Sequence, residues 1–233
     1  MNDLAGKHVL VTGASRGVGA EVAAMMRSRG ARLSLFSRTG DEERAHADDS
    51  VIVFRGDLTR ADDTAKALNI FEQRFGPVDI LVNNAGYGRY EPFATSSLKV
   101  IEQTIAVNFT GLVRLTHAVL PSMIRRKSGL LIHVASDLGR RRLANMAVYT
   151  ATKHAVVGFS QALARELRPF GIRSTVVLPG LIDSHFGGRN PGDVDPEQAL
   201  TPEDVARAII HIAGSPDSIL IDEVSLRSRG QEV

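Results

Sequence analysis

An apolar run, a glycine-rich corner and a helix follow one another near the start of this chain. Val9-Leu10-Val11 leads into Thr12-Gly13-Ala14-Ser15-Arg16-Gly17-Val18-Gly19, and Ala20-Glu21-Val22-Ala23-Ala24-Met25-Met26 comes next. The first stretch reads as a buried strand and the last as a helix, so the glycines fall in a strand–turn–helix corner. Such a corner aims backbone N–H groups and the positive end of the helix dipole at one point, and glycines let an anion approach the backbone closely. That is the make-up of a phosphate site.

The alternation continues to the end of the chain. Strands are predicted at His8–Val11, Arg32–Phe36, Val51–Phe54, Ile80–Val82, Gly129–Val134, Arg173–Val177 and Ile219–Leu226. Helices are predicted at Gly17–Arg29, Arg60–Phe75, Ile101–Arg126, Tyr149–Pro169 and Pro202–Ala213, the last with Thr201 as its cap and Pro202 in the first turn. Strands alternating with helices, with no repeat and no linker, predict a single α/β domain over residues 1–233. Its sheet is doubly wound, mostly parallel and seven-stranded, with helices on both faces.

Length and composition suit that domain: 233 residues, 43% of them hydrophobic and 23% charged, can bury a large core. A net charge of +2 gives no reason to expect a nucleic-acid partner. No segment approaches the length that spans a bilayer, and Asp3 and Lys7 stand where a signal peptide would be apolar, so a cytoplasmic protein is expected. The absence of cysteine excludes disulfides and thiolate chemistry. His8, His46, His117, His133, His154, His185 and His211 lack paired metal-ligand spacing, and no metal site is expected.

Two basic clusters read first as solvated charge: Arg125-Arg126-Lys127 at a predicted helix end, and Arg140-Arg141-Arg142 after the fifth strand. For the second, the alternative is a place at the mouth of a substrate site. Two irregular stretches stand out, the charged 39–50 and the Gly-, Pro- and Asp-rich 181–200. Ligands of parallel sheets bind beyond the carboxyl ends of the strands, so the second stretch should overhang the site.

Chemistry is concentrated in Tyr149-Thr150-Ala151-Thr152-Lys153, with Ser136 thirteen positions upstream. Residues four apart share a helix face, so Tyr149 and Lys153 should point into one site. A phenol titrates near about 10, and a neighbouring ammonium favours the phenolate, drawing that value toward working pH. A Ser136 hydroxyl beside the tyrosine would polarise a carbonyl.

These motifs together carry a family resemblance. Thr12 to Gly19 has the spacing Thr-Gly-x-x-x-Gly-x-Gly, followed by Asn83-Asn84-Ala85-Gly86, Asn108, Val134-Ala135-Ser136, Tyr149-x-x-x-Lys153 and Pro179-Gly180, all in order over nearly the whole chain. The sequence resembles the short-chain dehydrogenase/reductases, which implies a Rossmann fold and an NADP-dependent oxidoreductase acting on a small carbonyl or alcohol. The resemblance makes Tyr149 the general acid/base. Lys153 then lowers its pKa and holds the nicotinamide ribose, Ser136 binds the substrate oxygen, and Asn108 orients a water. It further implies cofactor contacts at Gly13, Ser15, Arg16, Gly17, Val18, Gly19, Ser37, Arg38, Asp57, Leu58, Asn83, Ala85, Gly86, Pro179, Gly180, Ile182 and Ser184, besides Tyr149 and Lys153.

Coenzyme choice is read at the end of the second strand, where NAD-specific sites place an acidic residue. Here Ser37 and Arg38 stand there, with Arg16 in the glycine loop, which points to NADP(H). In the family, the helices containing Ile105, Val113, Leu120, Val156, Phe159 and Leu163 form dimer contacts, so a homodimer or homotetramer is expected. The stretch 219–233 lacks the family's frequent Asp-Gly-Gly, and 221–227 is similar to members acting on hydroxy acids or small polar alcohols. The competing reading is a nucleotide-binding regulator with little turnover, which loss of Tyr149 or Lys153 would have favoured. A sugar-nucleotide epimerase would be longer and space its glycines differently.

Overall fold

The computed structural model describes residues 4–39 and 49–231, so most of the charged stretch at 39–50, His46 included, lies outside the described residues. Seven strands form one sheet: β1 (His8–Thr12), β2 (Arg32–Ser37), β3 (Val51–Arg55), β4 (Ile80–Asn83), β5 (Gly129–Val134), β6 (Ile172–Pro179) and β7 (Glu223–Leu226). Their order is β3-β2-β1-β4-β5-β6-β7, and every pairing is parallel, where the sequence predicted a mostly parallel sheet. The fold is thus a doubly wound, Rossmann-like α/β sheet. Chain order reverses between β1 and β4, which opens a crevice at their carboxyl ends.

The helices are α1 (Gly17–Arg27), α2 (Ala61–Phe75), α3 (Leu98–Ile105), α4 (Leu112–Arg126), α5 (Ala147–Leu167) and α6 (Pro202–Ala213). Strand period decides how they pack. Val9 and Val11 of β1, Ile80 and Val82 of β4, and Leu130 and Ile132 of β5 join the core beneath α1 and α6, whereas Leu10, Leu81 and Leu131 face α2, α4 and α5. Burial on both faces is what forces these strands to be apolar throughout. No helix among the described residues is long and apolar enough to cross a membrane.

Several boundaries differ from expectation for identifiable reasons. The helix predicted at Ile101–Arg126 starts earlier, where Ser97 accepts a hydrogen bond from Val100 N, and is interrupted by a π turn at Ala106–Gly111. Strand β7 begins at Glu223 rather than Ile219, because Ile219 and Leu220 are exposed before the chain reaches the sheet. Helix α5 ends at Leu167 and gives way to a 3₁₀ turn at Arg168–Phe170, where Pro169 stands. Helix α6 has the expected Thr201 cap, completed into a capping box by Asp204.

The basic clusters are not merely solvated. Arg126 donates to Val78 O at 2.7 Å and pairs with Asp79 at 3.2 Å, fastening the end of α4 to the start of β4. Arg140 pairs with Glu223 of β7 at 2.8 Å, and Arg141 with Asp137 at 3.1 Å.

Candidate active site

The glycine corner is built tightly on its inner side. Gly13 N donates to Phe36 O at 2.8 Å, and Thr12 Oγ1 accepts from both Asn84 N and Ala85 N at 3.0 Å. The Asn84 side chain donates to Thr12 O at 3.0 Å and to Gly13 O at 3.3 Å. A Cβ on Gly19 would collide with the Gly13 carbonyl oxygen and stand 2.5 Å from Asn84 Nδ2, so the helix can approach the loop this closely only without a side chain there. Gly17, at φ +56°, faces open space.

The residues present fit a dinucleotide. At the N-cap of α1 the Arg16 side chain makes no capping hydrogen bond, and no acidic residue lies in the first turn. The N–H groups of that turn and the helix dipole remain directed at an incoming phosphate. The adenosine end fits as well. Thr39 Oγ1 donates to Ser15 Oγ at 3.2 Å, tying the glycine loop to the end of β2. Ser37 turns its hydroxyl to Thr39 O at 2.9 Å, and both Arg16 and Arg38 are exposed. Arg55, which sequence reasoning passed over, joins them by donating to Arg38 O at 3.2 Å. Asp57 holds the start of its turn, accepting from Thr59 N and Oγ1 at 2.8 Å.

Several sequence-named residues offer only backbone to the crevice. Val18 and Leu58 are buried in the core. The Asn83 amide donates to Thr116 Oγ1 at 2.9 Å and His133 Nδ1 at 3.1 Å, away from the cofactor side. Gly180 N donates to Leu226 O at 2.9 Å, and Ile182 bridges to Leu200, which leaves Ser184 in the loop beyond β6.

Tyr149, Lys153 and Ser136 meet at the carboxyl end of β5. Ser136 follows the strand, its Oγ accepts from Leu138 N at 3.2 Å, and it lies near enough to the Tyr149 phenol to act on its ionisation. Lys153 is 3% exposed; it donates to Val134 O at 2.9 Å and lies 5.5 Å from the centroid of the Tyr149 ring. Asn108 lies close by in the π turn. Its Oδ1 accepts from Tyr87 N at 2.7 Å, and its Nδ2 donates to Tyr87 O at 2.8 Å and Thr152 Oγ1 at 3.1 Å. The Asn108 side chain therefore clamps the segment after β4 to α5. A Cβ on Gly86 would stand 3.9 Å from Lys153 Nζ and 3.8 Å from Asn108 Oδ1, which places Gly86 beside both side chains.

The electrostatics correct one expectation. The Tyr149 phenol is raised above its ordinary value near 10, with burial the main cause; the Ser136 side chain lowers it and the charge of Asp137 raises it further. Burial pulls the Lys153 pKa down to about 8, and its Nζ donates to the backbone carbonyl of Val134. Sequence reasoning also missed two neighbours. Phe186 of the 181–200 loop covers Tyr149 with ring centroids 5.2 Å apart, and Asp137 sits beside Ser136. Its adjacency to Ser136 was the available signal for Asp137; nothing in the sequence marked Phe186. Among the described residues, no cluster of three His, Asp or Glu could hold a metal ion.

The pattern that defines the short chain dehydrogenases matches residues 7–193. The chain belongs to the short-chain dehydrogenase/reductase family of NAD(P)-binding oxidoreductases. An uncharacterized oxidoreductase of Staphylococcus aureus (strain N315) is 31% identical over 232 residues, covering 97% of this chain and 99% of its own length. The closed form of a serine dehydrogenase complexed with NADP+ is similar with a TM-score of 0.91 at 30% identity, covering 97% of this chain and 96% of that one. A 3-ketoacyl-(acyl-carrier-protein) reductase from Brucella melitensis complexed with NADH has a TM-score of 0.89 at 28% identity, over 99% and 100% of the two chains.

Proposed function

We propose that this chain is an NADP(H)-dependent oxidoreductase that interconverts a carbonyl and a secondary alcohol on a small substrate, with Tyr149 as general acid/base. The observation that carries this reading is the meeting of Tyr149, Ser136 and Lys153 at the carboxyl end of a parallel sheet. A nicotinamide dinucleotide bound along the crevice supplies the hydride in reduction and accepts it in oxidation. Tyr149 gives its proton to the substrate oxygen in reduction and takes it back in oxidation. A phenol kept neutral by burial is ready for the first task. Ser136 donates a hydrogen bond to the same oxygen, and the buried Lys153 ammonium favours the phenolate that proton transfer leaves. Phe186 keeps water from the ring.

The finer coenzyme reading rests on charge. Solved relatives bind NADP+ or NADH, so residues at the end of β2 decide. Ser37 offers no carboxylate to repel a 2′-phosphate, and the exposed guanidiniums of Arg16 and Arg38 are available to pair with it. Each charged hydrogen bond contributes roughly 1.5–3 kcal/mol. NADPH should therefore exceed NADH at least about tenfold in kcat/KM on a panel of small ketones and keto acids followed by coenzyme absorbance. Replacing Ser37 by Asp together with Arg38→Leu should reverse the preference, and equal efficiency in the wild type would contradict it. An exposed apolar strip along α3 and α5 supports a homo-oligomer.

A further inference from the structure

Asp137 is charged yet almost enclosed, with 5% of its side chain exposed. Its two oxygens serve different neighbours. Oδ1 accepts from Ser136 Oγ at 3.3 Å. Oδ2 faces Arg141 Nη1 at 3.1 Å and Arg227 Nε at 3.4 Å, and accepts from Gln231 Nε2 at 3.2 Å. Arg227 and Gln231 belong to the tail after β7. The same Gln231 accepts from Leu181 N at 3.0 Å through Oε1, and Gly230 N donates to Glu197 O at 3.1 Å, so the tail joins both ends of the 181–200 loop to this corner. The close fit is visible at Gly180, where any Cβ would run into Gln231 Oε1.

A buried carboxylate is costly unless it is paired and hydrogen-bonded, and capping a short turn would not require one to be buried. We propose that Asp137 is a positioning residue: it fixes the rotamer of the Ser136 hydroxyl and keeps a negative charge near the Tyr149 phenol, while Arg227 and Gln231 of the tail hold it in place. This rests on the reading of Tyr149 as acid/base. Ser136 Oγ is tethered from two sides, by Leu138 N and by Asp137, which leaves it aimed at Tyr149. At 3.3 Å the Asp137 bond is long and weak, so a substrate oxygen can draw the serine proton away from it. The charged groups around the phenol are Lys153 on α5, Asp137 and Arg141 in the turn after β5, and Arg227 in the tail; the segment after β4 and the 181–200 loop bring Gly88 and the uncharged Phe186 ring. Of these, the Asp137 charge pushes the phenol upward, which favours its proton-carrying form.

The test compares Asp137→Ala, Asp137→Asn, Gln231→Ala and Tyr149→Phe in the full chain, using the panel ketone that the wild type reduces fastest. Asp137→Ala should lower kcat more than about tenfold while the NADPH dissociation constant stays within about twofold, because misplacing a reacting group acts on the chemical step. Asparagine still accepts from Ser136 Oγ, so Asp137→Asn should restore most of kcat. Without the negative charge, and with Arg141 and Arg227 still present, its alkaline limb in kcat/KM should move to lower pH by about half a unit or more. Gln231→Ala keeps the charge, so it should lower kcat several-fold and leave the limb in place. If Asp137→Ala fails to fold in a thermal melt, the other two variants decide. Full kcat in Gln231→Ala, or an unmoved limb in Asp137→Asn beside an inactive Tyr149→Phe, overturns the proposal alone. An active Tyr149→Phe, or a wild type that reduces no carbonyl, removes the acid/base reading and the proposal with it.

Discussion

His133 in the middle of the sheet has no exposed surface, and its surroundings dictate how it titrates. Asn83 Nδ2 donates to its Nδ1 at 3.1 Å, so the neutral ring carries its proton on Nε2, which has no polar partner. Phe159 packs against the ring edge to face, with centroids 5.7 Å apart. Burial lowers the His133 pKa from 6.5 to about 3. The unfolded chain therefore takes up a proton below about pH 6.5 that the folded chain refuses until about pH 3, and stability contributed by neutral His133 is lost as pH falls through that window. Between pH 7 and 5 the loss is about 2 kcal/mol. In His133→Asn this component should vanish, so that the denaturation midpoint, lower overall because of the smaller side chain, falls less between pH 7 and 5 than in the wild type. An identical fall in both proteins would rule this out. His8, also lowered by burial, adds acid sensitivity of the same sign that the variant retains.

At the level of strands and helices, the alternating pattern was enough to place seven strands and the helices that cover them, because buried parallel strands are apolar throughout and their crossovers are amphipathic. Motif residues such as Gly13 and Ser136 were legible for the same reason, since each follows a readable strand, and Gly19 lies in the first turn of a readable helix. The π turn at Ala106–Gly111 was not, since a shift in hydrogen-bond register leaves the apolar spacing of Ile105 to Leu112 almost unchanged. Nor was the contact of Gln231 with Asp137, which joins residues 94 positions apart through polar groups that carry no periodic signal. Helix faces show the same limit. Of the apolar positions proposed for subunit contact, Val156 and Leu163 are buried within the chain itself, whereas Ile105 is 43% exposed and is joined by Phe93 and Leu98 at 61% and 73%. Between α3 and α5, Phe93 and Ile105 border an apolar groove of about 470 Å³ that also includes Ile101, Phe109 and Val148. A patch of this kind marks an interaction surface, and the proposed two-fold homo-oligomer would cover it. Light scattering at micromolar concentration should give a multiple of 25.1 kDa, reduced by Leu98→Glu with Ile105→Glu; a wild type at 25.1 kDa would contradict this.

Across the whole molecule, the sheet gathers separate pieces at one edge. The glycine corner after β1, Ser37 and Arg38 at the end of β2, Ser136 after β5 and the 181–200 loop after β6 all lie at the carboxyl ends of parallel strands, and α5 brings Tyr149 and Lys153 to the same place. In the proposed function, the binding of a dinucleotide is spread over many of these groups, whereas proton transfer is assigned to a single phenol. Removing that phenol oxygen separates the two. The most direct test is Tyr149→Phe, assayed for reduction of the best panel ketone and, by fluorescence titration, for NADPH affinity. Turnover should fall by about 10²–10⁴-fold while the NADPH dissociation constant stays within about threefold. A variant that keeps more than about a tenth of wild-type turnover would contradict the assignment of Tyr149 as the general acid.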